Sequence, residues 1–148
     1  MLVEKIKFFL KYNIKIKFIG EIKKLSKELK KNIKKIQNLC DKNSGMQLII
    51  ALNYSSKQEI INAINEVIKN KKKINSKIFN KYLYTNNIPD PEILIRTGGH
   101  KRLSNFFLWQ CSYTEFFFLN KMWPDFTTND LNKIIKKYNS IKRNFGKV

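Results

Sequence analysis

The chain has 148 residues, 43% of them hydrophobic, which suits one domain with a real core and excludes a disordered polymer. Thirty Lys plus Arg against eleven Asp plus Glu give a net charge of +19, a field that favours anionic partners: nucleic acid, anionic membrane or phosphorylated substrates. No apolar run is long enough for a membrane span, and Glu4, Lys5 and Lys7 interrupt residues 1–11 in a way that argues against a signal peptide.

Leu2, Ile6, Phe9 and Leu10 recur at helical spacing, and Ile14, Ile16 and Phe18 then alternate with lysines in a strand stopped at Gly20. Leu25, Leu29, Ile33, Ile36 and Leu39 mark a long amphipathic helix with a lysine-rich outer face. The turn Asn43-Ser44-Gly45 leads into 46–54, a nearly continuous apolar strand of the kind buried on both faces. Ser56 and Glu59 form a capping-box pattern for a helix over 57–70, whose inward stripe is Ile60, Ile64, Val67 and Ile68. The basic run 69–73 reads as a solvated loop, and a further helix covers 74–84.

The segment 86–91, with Pro89 and Pro91, breaks the pattern. A short apolar strand, 93–95, precedes a polar loop and an aromatic run over 106–118. After a turn at 123–126, Thr127 and Asp130 start a last helix with Leu131, Ile134, Ile135, Tyr138 and Ile141 on its inner face. Helices alternating with apolar strands predict an α/β fold, a mostly parallel sheet flanked by helices, in a single domain over 1–148. About three strands are visible, few for this class. Cys40 and Cys111 lack metal-ligand or redox spacing and read as reduced, buried thiols of a cytosolic protein.

Lysine is abundant everywhere, so most of the charge reads as solvated helix faces. Only Arg96, Arg102 and Arg143 are arginines. Where Lys is the default, an Arg marks a place where its planar fork is needed to grip phosphate or carboxylate. Arg96 ends the strand 93–95 and, with Arg102, flanks Gly98-Gly99. Ligands of open α/β sheets bind beyond the carboxyl ends of strands. Glycines there let backbone amides turn toward an anion, and Ser104 is placed to N-cap a following helix whose first amides also favour negative charge. Two arginines, a hydroxyl and free amides in one loop match a diphosphate. The only acid between Arg96 and Trp123 is Glu115, which is also open to pairing with Lys121.

The run from Ile93 through Arg96-Thr97-Gly98-Gly99, then Arg102-Leu103-Ser104-Asn105-Phe106 to Trp109-Gln110, with Tyr113, Glu115, Phe118 and Trp123-Pro124-Asp125-Phe126, resembles the signature block of cis-prenyltransferases, the undecaprenyl diphosphate synthase family. Phe18-Ile19-Gly20, Asn43-Ser44-Gly45, Ala51-Leu52-Asn53-Tyr54 and Arg143-Asn144-Phe145-Gly146 extend the resemblance over essentially the whole chain. It implies a transferase that adds isopentenyl diphosphate to an allylic diphosphate with a cis double bond and Mg²⁺. It also implies that Arg96, Arg102, Leu103 and Ser104 bind isopentenyl diphosphate and that Glu115 helps bind Mg²⁺. A homodimer, or a heteromer with a second prenyltransferase-like chain, is expected from the family, with the aromatic segment after Gln110 as interface. A cytoplasmic location with peripheral contact to anionic lipid fits a long apolar product.

The chain also departs from that pattern. The family's Asp-Gly-Asn-Gly-Arg-Trp-like loop, whose Asp binds Mg²⁺ and which holds the allylic substrate, has no counterpart, and the first Asp is Asp41. His100 stands where the family commonly has Glu, and Asn53-Tyr54-Ser55-Ser56-Lys57 stands for an Asn-Tyr-Gly-Gly-Arg pattern. The expectation is a retained isopentenyl diphosphate half-site without a catalytic Asp, and little or no prenyl transfer by this chain alone; a split-enzyme or non-catalytic subunit is the alternative. A nucleic-acid-binding module is the remote one, because the lysines spread over several helices and no recognition motif occurs.

Overall fold

The computed structural model describes residues 5–143, which divide into two compact units on either side of Asn87 and Ile88. The first unit opens with α1 (Ile6–Lys11), which buries Phe9, followed by β1 (Lys15–Ile19). A 3-10 turn (Ile22–Lys24) leads to α2 (Lys27–Cys40), N-capped by the Ser26 side chain, which accepts from the Leu29 amide. Strand β2 (Gln47–Ala51) pairs parallel with β1, Lys15 opposite Gln47 and Ile19 opposite Ala51. Phe9, Ile14, Ile16, Phe18, Ile33, Ile36 and Cys40 form the core between this pair and the inner face of α2. Leu2 lies outside the described residues.

Gly20 closes β1 with φ +110°, and a Cβ there would stand 2.1 Å from the Leu52 carbonyl oxygen, so only glycine fits. Strand β2 is half-buried along most of its length rather than sealed on both faces as its apolar run suggested. Helix α3 (Ser56–Lys69) is capped by Ser55, not by Ser56, because the Ser55 hydroxyl accepts from the Gln58 amide while Ser56 is already helical and fully buried. Ala63 and Val67 are its buried stripe, and Ile68 is 68% exposed, contrary to the spacing-based expectation. The helix expected over 74–84 shrinks to α4 (Ser76–Asn80), capped by Asn75; Phe79 of α4 and Leu83 of the following turns are buried against Ala63.

The second unit holds β3 (Ile93–Arg96) and β4 (Glu115–Phe118), paired parallel, and α5 (Thr128–Asn139). Strand β4 lies inside the run read as merely aromatic. Helix α5 begins with a full capping box between Thr127 and Asp130, as its sequence implies. Of its expected inner face only Ile134 is buried; Leu131 and Ile135 stay more than a third exposed. Among the described residues all strand pairing is parallel, with helices against the strands, which is the α/β class expected. The strands form two two-stranded ladders among the described residues. Both cysteines are free and buried.

Candidate diphosphate-binding site

The site grows from the carboxyl end of β3. Arg96 is its last residue, and its carbonyl accepts from the Leu119 amide at 2.8 Å. The chain then reverses through Gly98 (φ +87°) and Gly99 (φ +76°), a left-handed pair that side chains would strain. Their amides do not point at an anion, as the sequence suggested. Gly98 donates to the Lys121 carbonyl and Gly99 to the Leu119 carbonyl, both at 2.9 Å, so the loop is stitched onto the segment that follows β4.

No helix starts at Ser104; the residues directly after it form turns and bends. Ser104, Asn105 and Phe107 all take positive φ (+50°, +63°, +49°), and three left-handed residues in four cannot start an α-helix. Ser104 is therefore not an N-cap. It turns its hydroxyl back to the strand end, where it accepts from Arg96 Nη1 at 3.0 Å; the same nitrogen donates to the Arg102 carbonyl. A cleft of about 310 Å³ lies between Leu94 to Arg96 on one side and Arg102, Leu103 and Ser104 on the other.

The structure thus brings four of the five expected residues together. Among the described residues neither guanidinium has a carboxylate partner, and no acid lines the cleft, so its potential is positive. Glu115 stands apart. It opens β4 opposite Ile93, whereas Arg96 faces Phe118, so three strand residues, roughly 10 Å, separate the two positions along the ladder. Lys121, its alternative partner, is held by Asp130 at 2.7 Å instead. Among the described residues no group of three or more His, Cys, Asp or Glu is arranged to hold a metal. His100 is exposed at the loop tip.

Arg143 uses its fork differently. It donates to the Tyr138 hydroxyl (2.6 Å) and the Tyr113 carbonyl (2.8 Å) and pairs with Glu92 at 3.3 Å, which ties the segment after α5 to the residues that precede β3 and β4. Asn144, Phe145 and Gly146 lie outside the described residues.

A polar network in the first unit escaped the sequence reading. Glu21, just past β1, accepts from the Tyr84 hydroxyl (2.7 Å) and Asn62 Nδ2 (2.9 Å) beside a cavity of about 580 Å³. Burial, and then the Glu21 carboxylate, push the Tyr84 phenol up to about 12. Glu59, 1% exposed, accepts from the Tyr54 hydroxyl and, at 2.7 Å, from the Tyr84 amide. The available signal was Gly20 followed by an acid at a strand end, but its partners are 41 and 63 residues away.

Residues 1–146 match the family described as "Putative undecaprenyl diphosphate synthase". The chain belongs to this prenyltransferase family. It is 42% identical over 141 residues to a ditrans,polycis-undecaprenyl-diphosphate synthase of Micrococcus luteus, covering 90% of this chain and 57% of the relative. It is 42% identical to an isoprenyl transferase of Chlamydia muridarum, covering 97% and 59%. Among solved prenyltransferase structures, a probable undecaprenyl diphosphate synthase from Campylobacter jejuni superposes with a TM-score of 0.92 at 32% identity, over 99% of this chain and 69% of that one. A lavandulyl diphosphate synthase from Lavandula x intermedia, in complex with dimethylallyl diphosphate, gives 0.84 at 32% identity. The chain spans less than two thirds of the length of these two curated prenyltransferases.

Proposed function

We propose that the cleft at the end of β3 is the isopentenyl diphosphate half-site of a cis-prenyltransferase, with Arg96, Arg102, Leu103 and Ser104 as its binding residues. The observation that carries this reading is the convergence of two carboxylate-free guanidiniums and a hydroxyl in one cleft. Two forks and a hydroxyl match the oxygens of a diphosphate, and charge-assisted hydrogen bonds are the strong ones. One nitrogen of the Arg96 fork, Nη1, is fixed by the Arg102 carbonyl and the Ser104 hydroxyl, which orients that fork at the strand end.

Mg²⁺ belongs to this reading as the counter-ion of the diphosphate. It is commonly held by one or two carboxylates plus substrate phosphates, and a single carboxylate suits that role. Glu115 is the carboxylate proposed for it; standing off the arginine cleft, it acts on affinity only through the metal. The reaction is condensation of isopentenyl diphosphate onto an allylic diphosphate. The protein is placed in the cytoplasm with peripheral contact to the membrane, in keeping with its charge and with the lack of any helix, among the described residues, long and apolar enough to cross a bilayer. Dimerisation is assigned to the aromatic segment after Gln110, which leaves Tyr113 60% and Phe116 42% exposed.

Titration calorimetry with isopentenyl diphosphate and Mg²⁺ tests the site. Arg102→Ala keeps the backbone carbonyl that holds Arg96 and removes only the fork, so affinity falls by roughly ten- to a hundredfold. Unchanged affinity overturns the reading. The alternative reading is one subunit of a heteromeric prenyltransferase. It is recognised by copurification with a second prenyltransferase-like chain; a stable homodimer alone counts against it.

A further inference from the structure

The outer face of α2 is the densest basic surface on any described helix. Lys27, Lys30, Lys31, Lys34 and Lys35 fall within an arc of about 140° at 100° per residue. Leu29, Ile33, Ile36 and Cys40 occupy the opposite side and pack on the first unit's core. Glu28, the one acid within the helix, lies outside that arc. On α3, by contrast, Lys57 and Lys69 share the helix with Glu59 and Glu66.

Beside this arc runs a cleft of about 320 Å³ between α2 and the 3-10 turn, lined by Ile22, Lys23, Lys30, Ile33, Lys34 and Gln37 among others. No carboxylate lines it, and among the described residues none of the three lysines has an acidic partner. Lys30 Nζ donates to the Lys23 carbonyl at 3.2 Å, which draws its ammonium across the cleft. The floor is apolar: Ile33 is 4% exposed and Ile22 packs on the core.

We propose that this cleft and the lysine arc of α2 form the surface by which the chain contacts anionic lipid headgroups. The assignment rests on the peripheral-membrane reading above and gives it a location. A groove with ammonium rims and an apolar floor accepts a phosphate head with the start of an acyl chain beneath it. Lysines are point charges without arginine's bidentate fork, which suits many weakly held headgroups better than one tightly held phosphate. Helix α2 carries no aromatic side chain on which bases could stack, which sets this surface apart from a single-stranded nucleic-acid site.

The test uses the full chain with phosphatidylcholine vesicles, and with the same vesicles containing about a third phosphatidylglycerol, in a sedimentation assay. Wild type binds the anionic vesicles, and more weakly as salt is raised. Replacing Lys23, Lys30 and Lys34 together by Gln weakens binding roughly tenfold or more, since each lysine near such a surface is worth about fivefold. The charge-matched replacement of Lys71, Lys72 and Lys73 by Gln changes it by less than about threefold. Lys34→Glu alone, checked by circular dichroism, serves should the triple variant misfold. Equal losses in the two triple variants overturn the location and leave membrane contact standing. A wild type that ignores anionic vesicles overturns both. Preference for duplex DNA over vesicles, lost with the α2 lysines, also overturns the proposal.

Discussion

Glu59 carries a carboxylate at 1% exposure, held by the Tyr54 hydroxyl and the Tyr84 amide. Its position three residues after Ser56 makes it look like a capping partner, but the helix starts one residue earlier and Glu59 turns inward. Sequence spacing could not show this, since its second partner is 25 residues downstream. Glu59→Ala leaves buried donors facing no acceptor, and urea unfolding should show a loss of roughly 2–4 kcal/mol. The arginines were more legible. In a chain where lysine is the default, all three described forks meet specific geometry: Arg96 on Ser104, Arg102 at the cleft, and Arg143 across Tyr138, Glu92 and Tyr113.

At the scale of elements, α5 was readable because its start is a local pattern. Thr127→Ala removes the acceptor for the Asp130 amide and should lower stability by about 1 kcal/mol, measured as a shift in thermal midpoint. The Asp130 carboxyl is held well below the usual range, first by the Lys121 hydrogen bond and then by Thr127. A depressed native value means that the unfolded chain binds the proton first. This contribution is whole above the ordinary carboxylate value and disappears as pH falls from there toward the native one. Acid titration of Asp130→Asn should show a shallower loss of stability over that window than wild type. Strand β4 was not readable: Glu-Phe-Phe-Phe has no alternation, and four residues give no periodicity. The loop after Gly99 failed for another reason. Its left-handed residues are Ser, Asn and Phe, types that do not announce the conformation as glycine does.

For the whole molecule, the α/β class and the cis-prenyltransferase family were legible, because the motif from Ile93 to Phe126 is long and ordered in a chain otherwise rich in lysine. The division into two compact units falls at Asn87 and Ile88, inside the proline-bearing segment 86–91 that was read only as a break between elements. The chain matches 57–59% of the length of the two curated relatives described. The half-site proposed for its cleft takes one diphosphate, whereas the proposed reaction needs a place for two. The purified chain with farnesyl diphosphate, labelled isopentenyl diphosphate and Mg²⁺ should therefore give little or no prenyl transfer, and steady product formation would refute that.

Lys121 joins two features that were treated separately. Its backbone carbonyl receives the Gly98 amide, and its side chain holds the Asp130 carboxylate at the head of α5. One residue is therefore a hinge pin between the anion loop and the helix. Protonating Asp130 in acid removes the charge that holds the Lys121 side chain, while the backbone bond from Gly98 to Lys121 does not titrate. The loop of the proposed diphosphate site is thereby one residue away from a carboxylate that titrates in acid.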